Sequence, residues 1–272
     1  MKAKRLLFIF LSLIFYFGLY AQEELSEQLL IPLSKPGEQG VLVVIHEKGS
    51  LTVSGYNSEA VLINTNSREG KDTDSEASDN KGMVKIPSDY LQLQAQEDNN
   101  TITVIIETKG KTYDIDIKVP YNFTLKLETR DNGNLTVNDV SGEMEIINRN
   151  GNISLNEVSG SAIVNTLDGN ILATFVEVTA DVPMAFTTLD GKIDVTLPPG
   201  ISASTSIKTE YGNIYTDFDM KFQGKKARVE KPDQNGVYRI SIDEWVYGII
   251  NNNGPEFLFK TLDGNVYIRK RK

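Results

Sequence analysis

The chain has 272 residues, no cysteine, one histidine, and 37 acidic against 28 basic side chains, for a formal net charge of −9. The lack of cysteine excludes disulfides, thiolate metal sites and a lipid anchor on a cleavage-site cysteine. The acidic balance argues against nucleic acid and anionic lipid as main partners, since both need a positive face.

Residues 1–21 read as a secretory signal peptide: Lys2, Lys4 and Arg5 precede an apolar run from Leu6 to Leu19, and Ala21 suits the cleavage site. The alternative is an uncleaved N-terminal anchor, although the run falls short of the ~20 residues that span a bilayer comfortably. Loss of the three basic residues with the leader takes the net charge from −9 to −12. No later stretch is apolar enough for a transmembrane helix, so the expected location is extracytoplasmic: periplasm, outer-membrane surface or secreted.

Residues 22–112 form an expected N-terminal β-rich part of the same column. An irregular lead-in over 22–39, with Pro32, Pro36 and Gly37, gives way to strand patterns at Val41 to Ile45 and Ser50 to Val53. His46 follows the first of these and is read as a structural or surface residue. With no second histidine or cysteine, multi-histidine zinc sites and histidine-based nucleophilic schemes are set aside. The segment 70–82 has no apolar period and is expected to be a surface loop. Its Asp72, Asp74 and Glu76 alternate but lack the glycine and distant bidentate glutamate of a calcium loop, so no metal is assigned. Beyond it, Leu91 to Gln94, Thr101 to Glu107 and Tyr113 to Val119 alternate as half-buried strands.

Residues 113–272 carry the dominant signal. Glycine recurs every nine residues at Gly133, Gly142, Gly151, Gly160 and Gly169, and alternate members open one phrase: Gly, polar, apolar, polar, apolar. Examples are Gly151-Asn152-Ile153-Ser154-Leu155, Gly212-Asn213-Ile214-Tyr215-Thr216 and Gly264-Asn265-Val266-Tyr267-Ile268. Glycine supplies a tight corner. The two apolar residues then point inward from a short strand while those between face water. An internal repeat near twenty residues signals stacked units that bury a core only against their neighbours. The expected fold is all-β: a single-stranded parallel β-helix or solenoid of short glycine-cornered coils. At about 4.8 Å per rung, six to eight coils would make a column of roughly 30–40 Å. A meander of hairpins could use the same Asn-Gly and Asp-Gly turns, but the constant eighteen-residue step favours a coil. The tail Arg269-Lys270-Arg271-Lys272 is read as a solvated end that blunts the last strand.

Further landmarks extend this pattern. Tyr113-Asp114-Ile115-Asp116-Ile117-Lys118-Val119-Pro120 leads into the repeats, Leu197-Pro198-Pro199-Gly200 follows the fourth, and Asn253-Gly254-Pro255-Glu256 precedes the last. Over about residues 113–270 this order resembles a bacterial family of candidate adhesins built from β-strand repeats, a domain of unknown function. The resemblance implies a β-helix-like fold, an extracytoplasmic location and no established catalysis, and it carries over no functional residue.

Two features could carry chemistry. Asp168, Asp190 and Asp263 each precede a repeat glycine and could lie along one edge, as clustered carboxylates do in some polysaccharide-cleaving β-helices; local turn chemistry is the favoured explanation, since Asp-Gly is a common turn pair and no lysine or arginine recurs at these corners. Tyr211, Tyr215, Tyr247, Tyr267 and Trp245 gather in the C-terminal third. Of these Tyr215, Tyr267 and Trp245 are the candidate binding residues, although strand propensity also favours surface tyrosine. The resulting expectation is a non-enzymatic exported protein, without cofactor, presenting a rigid surface to a glycan or protein at the cell envelope. A periplasmic scaffold or stress-response accessory and a polysaccharide-processing β-helix enzyme are the alternatives.

Overall fold

The repeat phrases fold as short strands with their apolar members turned inward: in Leu135–Asn138, Leu135 and Val137 are fully buried while Thr136 and Asn138 are half-buried. The computed structural model describes residues 28–68, 89–131, 133–223, 227–230, 239–242 and 245–272. The expected leader at 1–21 and the loop 70–82 lie outside these residues. Among the described residues every helix or strand is a strand, and no helix is long and apolar enough to cross a membrane.

The N-terminal part comprises β1 (Gln28–Pro32), β2 (Gly40–Lys48), β3 (Leu51–Tyr56), β4 (Ala60–Arg68), β5 (Tyr90–Asp98), β6 (Thr101–Lys109) and β7 (Thr112–Pro120). The regular array follows with β8 (Phe123–Asp131), β9 (Leu135–Asn138), β10 (Ser141–Asn150), β11 (Ile153–Asp168), β12 (Ile171–Val178), β13 (Met184–Thr187), β14 (Ile193–Leu197), β15 (Ala203–Lys208) and β16 (Ile214–Thr216). The C-terminal part holds β17 (Met220–Gln223), β18 (Ala227–Glu230), β19 (Arg239–Ile242), β20 (Val246–Ile250), β21 (Glu256–Lys260) and β22 (Val266–Lys270). Strands β18 and β19 pair with each other as a separate ribbon.

Successive coils pair in parallel with partners eighteen residues apart, as in Leu135↔Ile153↔Ile171, which decides against a hairpin meander in the array. Each coil contributes one strand to each of two ladders, and the long β11 serves both. The first ladder runs β6-β2-β8-β10-β11-β13-β21-β15 in parallel, and the second runs β7-β3-β9-β11-β12-β14-β22-β16. This β-solenoid-like column departs from the expected purely parallel coil in two ways.

Chain order and spatial order differ at both ends. The coil β2/β3 sits between β6/β7 and β8/β9, and the last coil, β21/β22, is inserted between β13/β14 and β15/β16. The ends are also antiparallel: β5 pairs with β6, β4 with β7 and β1 with β4 at one end, and β20 with β15 and β17 with β20 at the other. The sheet is therefore mixed. The lead-in expected to be irregular contributes β1, and β5 turns into β6 through Asn99 and Asn100, both at positive φ. That two-residue turn needs residues tolerant of the left-handed region, and asparagine is one.

The basic tail is not a loose end on a terminal strand. β22 is an interior rung. Arg269 pairs with Asp194 (Nε–Oδ1 2.6 Å) and Arg271 with Glu157 (2.5 Å), while the Arg271 backbone N–H donates to Leu197 O at 2.8 Å.

The core lies between the two ladders as stacked rows. One row reads Leu51, Leu135, Ile153, Ile171, Ile193 and Val266, all fully buried. Phe175, Phe186 and Phe259 fill the C-terminal half; Phe186 lies edge-on to Phe175 and parallel to Phe259 at 5.5 Å. Burying each such side chain contributes about 1.5–3 kcal/mol, and in a chain without cysteine this burial and the backbone pairing of the ladders hold the column together.

Candidate functional site

The glycine corners stack into one edge. A Cβ built on Gly151 would stand 2.2 Å from Gly133 O, one on Gly169 would stand 2.2 Å from Gly151 O, and one on Gly264 would stand 2.1 Å from Gly191 O. Only glycine lets consecutive coils close to this distance. Beneath the corner runs a ladder of buried polar side chains that satisfy the glycine carbonyls: Asn148 Nδ2 donates to Gly133 O at 3.0 Å, Thr188 Oγ1 to Gly169 O at 3.0 Å, and Thr261 Oγ1 to Gly191 O at 3.0 Å. His46 belongs to this ladder, in register with Thr129, which is in turn in register with Asn148. It is fully buried, and its Nε2–H donates to Tyr113 O at 3.0 Å. Burial pushes its pKa down, outweighing the upward pull of the Tyr113 hydrogen bond, Asp114 and Glu47. The histidine is thus a structural rung.

Outside the corner lies a shallow polar groove of about 640 Å³. Asn134, Asn152 and Asn170 form one wall, and Asn150, Asp168 and Asp190 form the other. The asparagine wall is self-linked: the Asn152 N–H donates to Asn134 Oδ1 at 3.0 Å, and the Asn170 N–H to Asn152 Oδ1 at 2.9 Å. Asp168, Asp190 and Asp263 do lie on adjacent rungs, bridged in parallel, as their shared place before glycine implies. Among the described residues no group of three or more histidine, cysteine, aspartate or glutamate side chains is arranged to hold a metal ion.

The tyrosines give a sharper arrangement. On the outer face of the second ladder, Asp194, Tyr267 and Tyr215 lie on three successive rungs. The two rings stack with centroids 5.0 Å apart and planes within 10°. Arg269 stands 4.9 Å from the Tyr267 centroid and is fixed by two hydrogen bonds to Asp194, at 2.6 and 3.1 Å. Asn265 Nδ2 and Tyr267 Oη are 3.2 Å apart. Tyr215 is the outermost member, 49% exposed on the last rung of its ladder among the described residues.

Trp245 does not join this pair. It precedes β20 at the end of the first ladder and is half-buried. Tyr247 lies on β20 opposite Ser206, and Tyr211 projects at the glycine corner, 75% exposed. Sequence reasoning missed Asp194 and Arg269, which make the tyrosine pair a charged-aromatic surface. The sequence alone places the tail in solvent, and only the insertion of β22 brings Arg269 beside Asp194.

A family model described as Toastrack DUF4097 matches residues 22–244. The chain belongs to that family. The resemblance to β-strand-repeat domains of unknown function holds, and the Toastrack match begins earlier, at residue 22, and stops before the last repeat. No curated protein matches this Toastrack chain. Among solved structures it is similar to a candidate cell adhesion protein from Clostridium sporogenes, with 11% identity and a TM-score of 0.43, over 90% of this chain and 100% of the other.

Proposed function

We propose that this Toastrack chain is a non-enzymatic, exported binding protein that presents a rigid sheet surface to a glycan or protein at the cell envelope. The observation that supports this reading is the Arg269–Tyr267–Tyr215 stack on the outer face of the second ladder. The stack leaves the outer face of Tyr215 as a flat apolar surface whose ring is already held by Tyr267 and Arg269 behind it, which lowers the cost of ordering on binding. Parallel rungs below hold the rings in place. The polar groove at the glycine edge fits turn chemistry: Asn134, Asn152 and Asn170 are linked to one another, and Asn150 Nδ2 lies 3.5 Å from Asp131 Oδ1.

The test is retention of the purified chain on envelope material from the producing cells, compared with Tyr215→Ala and Tyr267→Ala variants of unchanged circular dichroism. Loss of retention in both supports the reading, and unchanged retention removes this surface from it. Treatment of intact cells with a protease that cannot enter them then locates the chain. Early loss beside an intact periplasmic control means the outer surface. Survival until lysis means a periplasmic scaffold. A polysaccharide-processing role would instead use the Asp168, Asp190 and Asp263 column; polysaccharide cleavage lost in the triple asparagine variant with an intact fold would establish it.

A further inference from the structure

We propose that the free edge of β16 accepts an extended, basic segment of a partner protein, which adds to the second ladder as another strand and lays an arginine on Tyr215. This rests on the tyrosine surface being a binding face and narrows its partner to a protein segment.

The first support is the state of the edge. Among the described residues β16 pairs with β22 alone. Asn213 O accepts from the Val266 N–H at 2.9 Å, so Asn213 and Tyr215 direct their peptide groups towards β22. Peptide direction alternates along a strand, which turns the groups of Ile214 and Thr216 towards the open side. Exposed edges are ordinarily guarded by charge, proline or a bulge, and Ile214–Thr216 carries none of these.

The second support is the step at this end of the column. Among the described residues the first ladder continues past β15 with β20 and β17, whereas the second stops at β16. Ile214 occupies the row in which Val266 and Ile193 are fully buried, yet it is itself only half-buried. Phe222, two residues beyond the buried Met220 and on the same side of β17, is 60% exposed. An added strand would cover Ile214 and extend the second ladder alongside that overhang.

The third support is charge and stacking. The stretch 210–219 contains Glu210, Asp217 and Asp219 and no lysine or arginine. Lys208 lies 3.5 Å from Glu210, Lys270 Nζ sits 5.3 Å from the Phe218 ring centroid and Asp217 interacts with the Arg269 charge, so part of this charge is offset; β16 itself, Ile214–Thr216, carries no basic residue. The molecule already contains the contact that the partner would repeat: Arg269 on Tyr267, which stacks on Tyr215. An incoming arginine on the outer face of Tyr215 extends that series by one rung. Main-chain pairing would supply affinity and the alternating side chains selectivity, as in other strand-addition interfaces.

The experiment uses hydrogen exchange read at residues 213–217 of the unmodified chain. The probe is an acetylated, amidated hexapeptide of alternating arginine and valine; an alternating glutamate–valine hexapeptide and a chitin hexasaccharide serve as comparisons. The expected result is slowed exchange at Ile214 and Thr216 with the arginine peptide only. Fluorescence anisotropy should show binding weakened about two- to fivefold in Tyr215→Ala, the loss of one exposed cation–π contact. Four outcomes overturn the proposal: no slowing with the arginine peptide, equal slowing with the glutamate peptide, slowing with the hexasaccharide instead, or slowing produced by raising the concentration of the chain alone, which would make the occupant a second copy. Tyr215-dependent retention on envelope material that persists despite such a failure leaves the binding surface standing and removes only strand addition.

Discussion

Replacing Gly151 by alanine tests the stacked corner directly. The new Cβ would lie 2.2 Å from Gly133 O, a backbone atom that cannot swing aside, and the residue sits at φ 134°. Relief requires the two coils to separate by about 1 Å, straining the bond from Leu135 N–H to Asn152 O at 2.9 Å, which joins these same two coils. Overpacking of this kind costs about 1–3 kcal/mol and a side chain in a glycine-favoured region about 1–3 kcal/mol more. A total near 3–5 kcal/mol should lower Tm by roughly 6–20 °C in a chain of this size. Gly200 provides the control, because a Cβ there meets nothing within 4 Å. Gly200→Ala should leave stability within about 0.5 kcal/mol. Thermal melts followed by circular dichroism decide the matter. A Gly151→Ala protein melting within about 2 °C of the parent would refute close packing of coil on coil at this edge.

His46 predicts an acid-sensitive component of stability. Its pKa is lowered by burial, so the folded state holds it neutral while the unfolded chain takes up a proton near pH 6.5. Stability should be unaffected above that pH and fall as pH drops below 6.5 towards the folded pKa, with a slope of at most about 1.4 kcal/mol per pH unit. Urea unfolding at pH 7.5 and 5.5 should show this fall in the parent and a smaller one in His46→Asn, which places the residue found at Asn148 on this rung. Thr188→Val removes the donor to Gly169 O and should cost about 1–2 kcal/mol in urea unfolding, since it leaves a buried carbonyl unpaired. The inserted coil can be checked by cross-linking, because the chain has no cysteine of its own. Thr187→Cys with Lys260→Cys should form a disulfide, the two positions being direct neighbours, whereas Thr187→Cys with Lys208→Cys should not, with Lys260 lying between them. The reverse result would restore the coils to chain order.

The eighteen-residue step and the Gly-polar-apolar-polar-apolar phrase determined much of this protein by themselves: the β content, the inward rows such as Leu135 and Val137, the corner glycines, the outward setting of Tyr215 and Tyr267, and the alignment of Asp168, Asp190 and Asp263. These are local properties, set by the alternation of side chains along a strand and by the steric freedom of glycine. The order of the coils was decided only by the tertiary structure. Val266 and Ile268 present the same inward face as Ile193 and Val195, so nothing in the phrase states which rung is its neighbour. That choice depends on where β20 returns the chain and on how its core residues fit between β14 and β16. From it follow the charged-aromatic surface, because Asp194 and Arg269 are 75 residues apart and meet only through the insertion of β22, and the antiparallel ends, which no repeat phrase encodes.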